Sequence, residues 1–278
     1  MRKIKIVADT SCDMFTLDDT DFACAPMKII TAEREFVDND ALDVDEMVDF
    51  LYNHKGTSKS SCPNAGDWLD SFGDADDIFC VTITSGLSGS YNAACSAKQL
   101  YESEHPDRRV FVLDTLSAGP EITLAIRKIE EYINGGMPYE QICESITEYV
   151  KKTGLVFMLK SVRNFANNGR ISPIVAKLVG IAGICIVGRA SAEGTLEPMH
   201  KIRGERRSLD GLVSALEAEG YVGGKVSIGH CRNEAAAEQL RQMILAKFEN
   251  AEVEIHKFRG LCSFYAELGG VLIGFEKA

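Results

Sequence analysis

The sequence predicts an α/β protein of two lobes, with a largely parallel sheet in the N-terminal one. Three observations predict it. Short β-branched runs alternate with stretches whose apolar residues recur at helical spacing, the pattern of strand–helix–strand units. A chain of 278 residues is long enough for two ordinary domains. A lysine- and glycine-containing break at "KKTGL" (151–155) divides the alternation into an N-terminal lobe, 1–153, and a C-terminal lobe, 154–278.

In the first lobe, "KIKIVAD" (3–9) reads as a strand that ends in polar "DTSCD", and 24–38 as an extended meander. "DVDEMVDFLYNHKG" (43–56) has helical apolar spacing and a glycine stop. The polar loop "TSKSSCPN" leads into a short helix, "AGDWLDSFG". Strand 78–84, helix 90–104 and strand 109–114 follow. Helices near 118–134 and 138–152 come next, parted by "NGGMP". The second lobe opens with strand 155–159, a short helix, the turn "NNGRISP", helix 173–182 and strand 184–188. A hairpin around "AEGT", helix 205–219, strand 225–230, helix 233–249, strand 252–258 and a closing strand 270–275 complete it. Ligands of such sheets collect at the carboxyl ends of strands, which directs attention to loops 9–13, 57–64, 84–90 and 114–119.

Composition narrows the function classes. Hydrophobic content of 45% and charged content of 26% suit a globular core. A net charge of −11 argues against broad nucleic-acid binding, which needs a basic face. No apolar run reaches the roughly 18–20 residues that span a bilayer. The start lacks the apolar core of a secretory signal. The expectation is a cytoplasmic protein with peripheral or no membrane contact. No two of the nine cysteines are closer than 12 residues and none forms a CxxC knuckle, so they read as buried free thiols. No metal and no cofactor are expected. "GICIVGR" (183–189) has P-loop glycine spacing but Arg189 where Lys belongs, and its interior is that of a core strand.

The chemistry-bearing stretch is Thr84-Ser85-Gly86-Leu87-Ser88-Gly89-Ser90, which follows a strand and opens a helix. Such a turn presents free N–H groups where the helix dipole favours an anion, and glycine lets a ligand approach the backbone. Ordinary capping by Ser88 or Ser90 is the alternative. "GLSGS" also approaches the nucleophile elbow GxSxG, with Ser90 in place of its last glycine, which keeps a serine hydrolase in view. Arg170, in "NNGRIS", suits a guanidinium placed to meet a carboxylate or phosphate, or a surface arginine at a turn. The basic cluster "RGERR" (203–207) reads as a solvated helix start.

Taken in order, "VADTSCD", "SSCPNAGDW", "ITSGLSGSYNAA", "VLDTLSAG", "NNGRIS" and a glycine-rich apolar ending resemble the DegV family of fatty-acid-binding proteins over nearly the whole chain. The resemblance implies a long acyl chain in an apolar tunnel between or within the lobes, its carboxylate held by hydroxyls of two loops. The family's Thr-Ser-Gln-Pro loop matches Ser60-Ser61-Cys62-Pro63, and its Leu-Ser-Gly-Thr-Tyr loop matches Leu87-Ser88-Gly89-Ser90-Tyr91. An alternative register makes Thr57 the first hydroxyl. The implied ligand-binding residues are Ser60, Ser61, Ser85, Gly86, Ser88 and Gly89, with Arg170 at the cleft mouth. The family's ending often carries a histidine for the head group. This chain reads "SFYAELGG" there, which puts Tyr265 in its place. A phenol donates a hydrogen bond but does not titrate near neutral pH as imidazole does. The resemblance further implies a non-catalytic carrier that presents its acyl group to a fatty acid kinase. The alternative is a hydrolase or acyl-transfer enzyme that uses Ser88 as nucleophile.

Overall fold

A computed structural model describes residues 2–171 and 183–278. The expected helix 173–182 lies outside them. In chain order the strands of the N-terminal half are β1 (Ile4–Asp9), β2 (Asp21–Ala25), β3 (Lys28–Ile30), β4 (Glu35–Val37), β5 (Lys59–Ser61), β6 (Asp77–Thr82) and β7 (Arg109–Asp114). Its helices are α1 (Val44–Asn53), α2 (Ala65–Phe72), α3 (Ser90–Glu104), α4 (Pro120–Asn134) and α5 (Tyr139–Tyr149). Beyond them lie β8 (Thr153–Leu159), α6 (Arg163–Asn167), β9 (Ile184–Ala190), β10 (Leu196–Arg203) and α7 (Glu205–Ala218). The chain ends with β11 (Gly224–His230), α8 (Glu234–Lys247), β12 (Ala251–Lys257), α9 (Gly260–Ala266) and β13 (Val271–Glu276).

Among the described residues the strands form three sheets, in orders β2-β1-β6-β7, β4-β3-β5 and β10-β9-β8-β13-β11-β12. The first is parallel throughout. A parallel sheet needs cover on both faces, and every residue of β6 is accordingly buried. Ile6, Phe79 and Val81 pack with Ile122, Ile126 and Ile129 of α4. Val7, Ile78 and Cys80 face the other way, onto Trp68 and Phe72 of α2 and Ala94 and Ala97 of α3. In the six-stranded sheet β11 and β12 are parallel and the remaining pairs antiparallel. Alternation along β8 sends Val156 and Met158 to a core shared with α7 and α8, and Phe157 and Leu159 to the opposite face.

Three features differ from the sequence reading. The meander 24–38 divides: β2 joins the parallel sheet while β3 and β4 start the small one. The polar loop 57–64 contains β5, whose Ser60 pairs with Ile29 of β3. Three polar residues on a sheet edge carry no apolar signal. The closing strand expected over 270–275 is present as β13, and it lies centrally in its sheet, between β8 and β11. Finally, α9 went unread because it is short and almost wholly buried, which erases amphipathic periodicity. Its start is fixed from far away. Asp38 accepts the N–H groups of Gly260 at 2.9 Å and Leu261 at 2.8 Å, offsetting two orphan donors of the helix.

No helix among the described residues is long and apolar enough to cross a membrane.

Candidate functional site

A cavity of about 930 Å³, its open mouth included, lies where the two halves meet. Its second-half wall comes from the free face of β8 (Leu155, Phe157, Leu159) and from Phe165, Leu196 and Leu272. The N-terminal half contributes Met27, Ile83, Leu87 and a set of small polar residues. Helix α9 adds Leu261, Cys262, Tyr265 and Ala266. Burial pushes the Cys262 thiol well above its ordinary range, with Asp13 adding to the shift.

Five of the expected ligand residues meet on this cavity: Ser60, Ser88, Gly89, Arg170 and Tyr265. The Ser60 hydroxyl and the Tyr265 phenol share a hydrogen bond of 2.7 Å. Each is held in turn. The Ser60 N–H donates to Asn168 Oδ1 at 3.2 Å, and Asn168 Nδ2 donates to the Ser58 carbonyl at 3.2 Å. The turn "NNGRIS" thereby clamps the strand that carries Ser60. The Tyr265 ring lies 4.6 Å from Phe165 and 4.8 Å from Phe264, centre to centre. The alternative Thr57 is exposed and is not part of the wall.

Ser88 sits one residue before Gly89, the N-cap of α3, which makes no side-chain cap bond. The Ser90 N–H donates to Ser88 Oγ at 3.3 Å. Gly89 backs onto Cys62, where a Cβ would stand 3.3 Å from the sulfur.

Ser61, Ser85 and Gly86 do not line the cavity. Ser61 is exposed and its hydroxyl donates to the Cys62 carbonyl at 3.3 Å. Alternation along β5 turns it away from the side Ser60 faces. The Ser85 N–H donates to Asp114 Oδ1 at 3.1 Å, and the Gly86 N–H to Thr84 Oγ1 at 3.0 Å, so both belong to the loop's own scaffold. Gly86 also lies under the β9–β10 hairpin, where a Cβ would be 2.6 Å from the Glu193 carbonyl.

The sequence reading missed Asn168 as the tie between two motifs, although it stands inside one of them. It also missed the apolar wall, which follows from strand alternation once the pairing is known. Among the described residues, none that lines the cavity is His, Asp or Glu, and the stretch 172–182 has none in its sequence.

A family model described as "Uncharacterised protein, DegV family" matches residues 3–277. A DegV domain-containing protein of Streptococcus pneumoniae strain R6 is 42% identical over 276 residues, 98% of each chain. Two solved structures are each 41% identical and cover 99% of this chain and 100% of their own. One is a DegV family protein from Eubacterium eligens loaded with heptadecanoic acid, with a TM-score of 0.96. The other is the Streptococcus pneumoniae Fatty Acid Kinase (Fak) B3 protein loaded with linoleic acid, with a TM-score of 0.97.

Proposed function

The chain belongs to the DegV family, and we propose that it is a cytoplasmic carrier that holds one long-chain fatty acid for a fatty acid kinase. The observation that carries this reading is the make-up of the cavity wall: apolar side chains of β8 and α9 together with the hydroxyls of Ser60, Tyr265 and Ser88, the first two hydrogen-bonded to each other. The tail gains about 0.8 kcal/mol per buried CH₂. A carboxylate in an apolar slot needs donors, and hydroxyls and N–H groups supply them. Arg170, exposed at the wall, is placed for charge contact with the head group or with the kinase.

The wall argues against the hydrolase alternative. A nucleophilic serine needs a base within about 2.6–3.2 Å. No His, Asp or Glu of the described wall faces the cavity to serve Ser88 as that base.

Native mass spectrometry of protein purified from a heterologous host tests the reading. The expected result is a copurifying fatty acid that is released on denaturation. Ligand-free protein that also fails to bind added heptadecanoic or linoleic acid overturns it.

A further inference from the structure

We propose that Asp9 and Ser90 are positioning residues that aim the Ser88 hydroxyl at the bound head group; the inference rests on the fatty-acid reading above. Asp9 ends β1 and is fully buried. Among the described residues it forms no salt bridge. It is instead surrounded by donors. Oδ2 accepts the Ile83 N–H at 2.9 Å and the Ser90 hydroxyl at 2.6 Å. Oδ1 accepts the Ser11 N–H at 3.2 Å and the Ser11 hydroxyl. A buried carboxylate without a cation persists only when its lone pairs are filled in this way. Burial still pushes its pKa up, against the pull of the four donors.

The placement of those donors points past simple support. Ile83 follows the last residue of β6, where the serine loop departs, and Ser90 is the first residue of α3, where the loop ends. One carboxylate oxygen thus holds both ends of the segment that carries Ser88. The Ser90 hydroxyl turns back to β1, and the N-cap residue, Gly89, has no side chain to offer the helix. The Ser90 N–H meanwhile occupies an acceptor site on Ser88 Oγ at 3.3 Å. A serine hydroxyl has one proton and two lone pairs. With an N–H already directed at one lone pair, the Ser88 proton is left for an acceptor in the cavity.

The test compares dissociation constants of heptadecanoic acid and its methyl ester for the wild type, Ser90→Ala and Asp9→Asn. The ester retains the tail and loses the charged head. Ser90→Ala is expected to weaken acid binding about five- to tenfold, the scale of one misplaced hydrogen bond, and to leave the ester within about twofold. Asp9→Asn is expected to weaken the acid at least as much. Circular dichroism checks that each variant folds; should Asp9→Asn not fold, Ser90→Ala alone decides. Equal losses for acid and ester, or no loss for the acid, overturn the inference. Wild-type protein that binds no acid overturns the fatty-acid reading instead, so the two failures are distinct.

Discussion

The bond between Ser60 and Tyr265 makes an unusual prediction for mutagenesis. Two hydroxyls 2.7 Å apart hold two protons between them, and one is engaged in their mutual bond. Only one remains for a ligand. In Ser60→Ala the phenol is released to donate, and in Tyr265→Phe the serine is. Each single substitution therefore keeps one donor at this corner and should weaken fatty-acid binding by no more than about threefold. The double variant keeps none. It should lose a hydrogen bond to a charged group, about 1.5–3 kcal/mol, or roughly 10- to 150-fold in Kd. Ser88 has no such substitute, so Ser88→Ala alone should reach that range. Isothermal titration calorimetry with heptadecanoic acid across the cycle measures the coupling. Additive effects, or a full loss in either single variant, would refute the shared-proton reasoning.

Three further expectations concern the frame around the site. Asp38→Ala removes the acceptor of two buried N–H groups at the start of α9; it should cost about 1–3 kcal/mol and lower Tm by several degrees in thermal denaturation. Asp13 and His256, 4.0 Å apart across the two halves, should give stability a slope with pH. Burial moves Asp13 from 3.8 up to about 8, so its contribution is full below pH 4 and is lost as pH rises to 8. Burial moves His256 from 6.5 down to about 4, so its contribution is full above pH 6.5 and is lost as pH falls to 4. The two oppose each other below pH 6.5, and only Asp13 acts above it. Asp13 should then make stability fall by about 2 kcal/mol between pH 6.5 and 8, and a pH series of Tm values for Asp13→Asn should fall less steeply there than for the wild type. Gly194, at φ +71°, lies against Thr84 and the Leu116 carbonyl. Gly194→Val should destabilise by about 1–3 kcal/mol and loosen ligand binding, read by Tm and Kd together, because the hairpin tip must lift from the serine loop.

The fold was legible where one physical signal dominated. Helix α2 follows a polar loop as a short helix, and the structure shows a capping box at its start, with Asn64 accepting two N–H groups and Asp67 reciprocating; β6 is a continuous apolar run. Segments placed by distant partners stayed hidden. Helix α9 is capped by Asp38, 222 residues away from Gly260, and β5 exists because β3 offers it a pairing edge. The site divides along the same line. Ser88 and Gly89 sit in a strand-to-helix loop visible from spacing alone, and the resemblance to a known family added Ser60 and Tyr265. The tail cavity left no linear motif. Gly188 illustrates why. Its P-loop-like spacing suggests phosphate, yet it pairs with Phe157 and a Cβ there would strike that ring. The glycine makes room for a wall residue of the cavity.

The electrostatics of the wall have a consequence for how affinity is built. Among the described residues, Arg170 is the only ionised side chain that lines the cavity, and it is exposed. Neutral hydroxyls bind a carboxylate without leaving a buried, unpaired cation behind when the ligand departs, a penalty that a fixed ion pair would impose. Under the proposed function the head group then sets orientation while the tail sets affinity. At about 0.8 kcal/mol per buried CH₂, Kd for saturated acids should fall about fourfold with each added methylene until the cavity is filled. The ratio between an acid and its methyl ester should stay constant along that series, because the hydroxyl corner does not sense chain length. A titration series with both head groups separates the two contributions. An acid-to-ester ratio that changes with length would mean that tail and head are coupled through the wall, and that hydroxyl placement depends on how full the cavity is.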